Sequence, residues 1–154
     1  MYSKEQIKAI RIHFWSEFKS RIQNKRSSSG KRINWLHYPS EIDFIFIRLD
    51  ADAKGARLTF DIQGKDQGVR EIIWEQMYEL KVVLESEMGT TGIWSEAISS
   101  NSVSSFNQIK WENPNLNLFI LEDQTKIMDF LEDRILAFDR FYQEFKDILI
   151  NLAN

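Results

Sequence analysis

The residues of this chain best equipped for chemistry are four carboxylates. Asp50 and Asp52 stand two apart, and Asp43 and Asp61 lie on the stretches to either side. Carboxylates gathered at the end of a sheet can hold Mg²⁺ or Mn²⁺ for phosphodiester hydrolysis. On that reading Asp50, Asp52 and Asp61 are the candidate catalytic residues of a divalent-metal-dependent nuclease. Such a site sets an acid on one strand and an acid-x-Lys on the next. Here Asp61 is followed by Ile62, Gln63, Gly64 and Lys65, so the Lys is displaced. The structural reading is simpler: Asp at a strand end bonds nearby amides and makes turns. Asp43 and Asp61 are also expected to point with Arg57 and Thr59 toward water.

The second candidate is basic. Lys25, Arg26, Lys31 and Arg32 flank Ser27, Ser28, Ser29 and Gly30, with Trp35, His37 and Tyr38 just beyond. Cations interleaved with aromatics can track a phosphate backbone and stack bases. Lys25, Arg26, Lys31, Arg32 and Trp35 are therefore the candidate nucleic-acid-binding residues. Against this stands a net charge of −3, which disfavours a globally basic binder. The plain reading is a flexible polar connection.

Other chemistries find little support. No cysteine is present, which excludes disulfides, thiol catalysis and thiolate metal sites. His13 and His37 are far apart and form no His-x-x-x-His pair, so no metal site is expected from them. There is no Gly-x-Ser-x-Gly elbow. Ser29-Gly30-Lys31-Arg32 lacks the upstream Gly and the hydroxyl of a phosphate-binding loop. No cofactor is expected. The five Trp residues read mostly as core, with one or two lining a cleft.

Local periodicity supplies the elements that would position these residues. Ser3 and Gln6 form a capping box, and Ile7, Ile10, Phe14, Phe18 and Ile22 form a helical stripe over about residues 4–24. Residues 33–38 read as a strand ended by Pro39. Residues 42–49 read as a central strand, 50–55 as a turn, and 56–62 as a strand with alternating dry and wet faces. A second helix covers Val69 to Leu84 and beyond, with Gly89 as its left-handed C-cap. Strands are expected at 93–98 and 106–111, with a polar loop at 99–105 and a short edge strand at 116–121.

Asp123 then caps a long last helix. Ile127, Leu131, Arg134, Phe138, Phe141, Phe145, Ile148 and Leu152 step along it at helical spacing. Glu132, Asp133 and Asp139 are the expected partners of Arg134. The fold class is α+β: an antiparallel sheet of about five or six strands with three helices. The order is α-β-β-β-α-β-β-(β)-α, in a single domain over 1–154.

One set of residues carries a resemblance. It comprises Arg11, Phe14-Trp15 and Phe18, then Ile33-Asn34-Trp35, Arg48-Leu49-Asp50-Ala51-Asp52 and Trp74-Glu75-Gln76. Trp94 and Phe138-Asp139-Arg140-Phe141 complete it. In this order they resemble an uncharacterised bacterial family, domain of unknown function 4268, over nearly the whole chain. Gln124 departs from the family pattern, which carries Trp at the start of the last helix. Members of that family stand alone or follow a region resembling restriction-type nucleases. The resemblance thus implies a DNA-processing or defence context, and no established activity or site residues.

The leading reading is a non-catalytic interaction module, an accessory to nucleic-acid processing or defence. The alternatives are the metal-dependent nuclease and the nucleic-acid binder of the 25–32 loop. An apolar end of the last helix would take a protein partner, most simply a second copy. No apolar run is long enough to cross a bilayer and no signal peptide is visible, so a cytoplasmic protein with no membrane partner is expected.

Overall fold

The computed structural model describes residues 1–98 and 105–154. The loop expected at 99–105 lies outside the described residues except for Ser105.

Helix α1 spans Lys4–Ile22, and its start is as the sequence predicts. Ser3 Oγ accepts from the Gln6 amide, and the Gln6 side chain accepts from the Ser3 amide. Two otherwise orphaned donors are thereby satisfied. Phe14, Phe18 and Ile22 are fully buried.

Among the described residues the sheet has four antiparallel strands, not five or six. Strand β1 (Ile45–Asp52) and strand β2 (Gly55–Ile62) form a hairpin across Ala53 and Lys54. Strand β3 (Ile93–Ile98) follows two helices, and strand β4 (Phe106–Asn113) returns between β2 and β3. The order is β1-β2-β4-β3.

Two expected strands are something else. Residues 33–38 contain a 3₁₀ turn at Trp35–His37, started by Asn34, whose Oδ1 accepts from the Leu36 amide. Trp35 and Tyr38 are both buried. A strand would send positions three apart to opposite faces, whereas a helical turn sends them to one. Tyr38 keeps only a single bridge to Ile47. Residues 116–120 are irregular chain and turn, and residue 121 already opens the last helix; the segment is tied to the hairpin where the Leu118 amide donates to Asp52 O at 3.1 Å.

The helices number four among the described residues, not three. The expected second helix breaks at Leu80 into α2 (Gln67–Glu79) and α3 (Lys81–Met88). Gly89 is the left-handed cap of α3, at φ 79°. Helix α4 spans Leu121–Ala153 and begins two residues before the expected Asp123 cap. Asp123 instead accepts from the Asn117 amide, at 3.0 Å. It still lies in the first turn with Glu122, where the helix dipole favours acids. Arg134 bonds Met88 O, and Asp133 is 3.9 Å from it, so α4 and α3 are joined there.

Helix α4 lies across the inner face of the sheet. Phe138 meets Phe60 of β2 and Trp111 of β4, with ring centroids 5.7 and 6.3 Å apart. Ala56, Leu58, Phe60 and Ile62 point inward from β2 and are all fully buried. The outer face is a grid set by register. Asp50, Arg57 and Glu112 share one row, and Arg48, Thr59, Lys110 and Ile93 the next. Phe46, Asp61, Gln108 and Ser95 form the third.

Candidate functional site

Asp50, Asp52 and Asp61 all reach the outer face of the sheet, but each is held by an arginine. Arg57 grips Asp52 with two nitrogens, at 3.0 and 3.2 Å, and reaches Asp50 at 3.2 Å. That fork is the strong form of a carboxylate pair. The Arg57 hydrogen bond holds the Asp52 carboxyl below its ordinary range. Asp61 lies four residues along β2 from Arg57, about 13 Å away at strand rise. It accepts from Arg48 at 3.0 Å and Gln108 at 2.9 Å.

Asp61 is buried rather than turned to water, because those two side chains cover it. Burial raises its pKa, while Gln108 and Arg48 pull it down. Asp43 is off the sheet, exposed in the turn before β1. Among the described residues no group of three or more His, Asp or Glu is arranged to hold a metal ion. The carboxylates are thus neutralised in two separate places, and a cation entering either must displace an arginine.

The basic loop is not a loose connection. Its anchor is Asp139 of α4, 2% exposed. Ser27 Oγ and the Ser28 amide each donate to this carboxylate at 2.7 Å. Tyr38 OH donates to it at 2.7 Å as well. Gly30, at φ 85°, turns the chain so that the Ser27 amide donates to Lys31 O. Trp35 is 2% exposed and donates its indole N–H to Lys25 O at 2.9 Å. It is a core residue and cannot stack a base. Arg26 donates to Gly30 O, and Lys25 stands 3.9 Å from Glu132. Lys31 and Arg32 are exposed.

The anchored hydroxyl gives a measurable pH dependence. Burial first, and then the bond to Asp139, push the Tyr38 pKa above the ordinary tyrosine value. Burial and the Glu41 charge raise Tyr142 likewise. A raised value in the fold means that ionisation favours the unfolded chain. Their contribution is therefore complete below about pH 10 and is lost as pH climbs past it. Urea melts across that range should show stability falling with pH. Tyr38→Phe should make the fall shallower, and an unchanged slope would rule out Tyr38 as a source.

One signal was legible in the sequence but hidden by the total charge. Residues 1–32 carry nine Lys and Arg against two acids, a net of +7. The other 122 residues carry 11 against 21, a net of −10. The structure uses only part of this excess internally. Arg21 pairs with Asp129 and Glu132 of α4, and Arg11 donates to Ala51 O. Lys4, Lys8, Lys19, Arg26, Lys31 and Arg32 are exposed and pair with no carboxylate among the described residues.

Helical spacing offers Asp139 to Arg134, whereas in the structure Ser27, Ser28 and Tyr38 claim Asp139. Its partners lie more than a hundred positions away, and no local pattern marks them.

No helix among the described residues is long and apolar enough to cross a membrane. A family model described as Domain of unknown function (DUF4268) matches residues 10–146. No curated protein and no solved structure gives a match.

Proposed function

The chain belongs to the DUF4268 family, whose model spans residues 10–146 of its 154, and from that premise we propose a non-catalytic interaction module that docks an anionic partner. The observation that carries this reading is the segregation of charge. An excess of +7 is confined to the first 32 residues, and six of its cations stand exposed with no carboxylate partner among the described residues. An excess of that density on an acidic chain draws polyanions by local field rather than by net charge.

The anchor is the 25–32 loop, and Lys31 and Arg32 are its exposed charges. Asp139 holds the backbone of that loop in place before any partner arrives, which lowers the ordering cost of binding. Such a module suits an accessory role in nucleic-acid processing or defence. The acidic outer face of the sheet enters as a self-neutralised surface, since Arg57 and Arg48 already occupy its carboxylates.

Retention on immobilised heparin tests the reading. The protein should bind at low salt and elute in a NaCl gradient. Lys31→Gln/Arg32→Gln should elute at distinctly lower salt, because each lost contact removes about one unit of salt dependence. Flow-through of the unmodified protein at low salt would end the proposal.

A further inference from the structure

We infer that the basic surface continues from the 25–32 loop along one flank of α1, and that its partner is the phosphate backbone of a nucleic-acid duplex; the inference rests on the anionic-partner reading above. Lys4, Lys8, Ile12, Trp15 and Lys19 follow one another at spacings of four, four, three and four. That spacing puts them on a single side of the helix. It is the side next to the buried stripe of Phe14, Phe18 and Ile22, so Trp15 is half-buried while Ile12 and the lysines are exposed.

The end of this flank meets the segment after the loop. A small cleft of about 120 Å³ is lined by Lys19 and Gln23 on one side and by Ile33, Asn34 and Leu36 on the other. Lys31 and Arg32 immediately precede that segment. The flank and the loop therefore form one surface rather than two.

The acids of α1 leave most of the row clear. Glu17 turns to His13, 3.1 Å away. Glu5 lies in the first turn, where it complements the helix dipole. Lys25 and Arg21 belong to the opposite flank, toward Glu132 of α4.

Geometry favours a duplex over a stacked single strand. Lys4 to Lys19 spans 15 residues, about 22 Å of helix axis and thus the rise of about six base pairs. Stacking needs exposed rings, and the one Trp beside the loop, Trp35, is buried. What remains is a line of cations, which reads charge and not sequence.

The test measures binding of the full chain to a labelled duplex of about 20 base pairs over a salt series, with sequence scrambled as a control. The unmodified protein should bind both sequences alike, with a log–log salt slope near −5 if about six phosphates are contacted. Lys8→Gln/Lys19→Gln replaces exposed residues with helix formers. It should flatten the slope by about two and weaken binding by on the order of tenfold at low salt. Equal binding by this variant, with loss only in Lys31→Gln/Arg32→Gln, would overturn the α1 flank and leave the loop reading intact. Binding to vesicles containing anionic lipid but not to duplex would overturn the nucleic acid as partner while keeping an anionic one. Failure to bind either probe would end both.

Discussion

Asp139→Ala is expected to destabilise the fold by about 3 kcal/mol or more, because each buried donor left without a partner costs roughly 1–3 kcal/mol. The carboxylate accepts from Ser27 Oγ, the Ser28 amide and Tyr38 OH, all at 2.7 Å. Ser27 and Tyr38 are themselves buried, 4% and 5% exposed, so water replaces Asp139 poorly. Chemical denaturation with a constant m-value would measure the loss. Asp139→Asn separates charge from shape. Its amide oxygen can still take the two hydroxyls, but its NH₂ confronts the Ser28 amide. It should fall between the native protein and the Ala variant. Ser27→Ala combined with Asp139→Ala should cost less than the sum of the two single changes, because both remove the same bond. A loss below about 1 kcal/mol for Asp139→Ala would show that the donors find other partners.

Phe138→Ala should cost about 3–5 kcal/mol, the range for a large ring removed from a closed core. Phe138 is fully buried and is the ring on which the two layers meet. It packs against Phe60 and Trp111 of the sheet and against Phe141 and Tyr142 of its own helix. Its neighbours belong to β2, β4 and α4, so no single side chain can collapse into the space. Phe138→Leu retains most of the volume and should recover more than half of the loss. A thermal melt of both variants beside the native protein would settle the order. Ala and Leu variants of equal stability would mean that Phe138 is not the packing centre.

The elements legible in advance are those written in local spacing. The Ser3/Gln6 box, the stripe of α1, the alternation of β2, the Gly89 cap and the long run of α4 are all found where the sequence puts them. Each rests on contacts within a few residues, so each is encoded where it occurs. The misread stretches are those in which tertiary packing overrides local pattern. Residues 33–38 have strand-like composition, yet Trp35 and Tyr38 both enter the core and force a turn. Asp61 alternates with apolar residues like a solvated position, yet Arg48 and Gln108 arrive from the neighbouring strands and bury it.

The candidate site divides along the same line. The sequence alone determined the family, the α+β class, and the charge excess of the first 32 residues, since these are properties of order and composition. Only the tertiary structure decided how that excess is distributed between internal pairs and the surface. It tied Arg21 and Lys25 to α4 and left Lys31 and Arg32 exposed, with no carboxylate partner among the described residues. It took Trp35 into the core, and it seated the serine loop on Asp139. It also closed the carboxylates of the sheet onto Arg57 and Arg48. The physical reason is that a charge or a hydrogen-bond donor carries no record of its partner. Which acid meets which base is settled when distant segments come together, by the requirement that polar groups removed from water find one another.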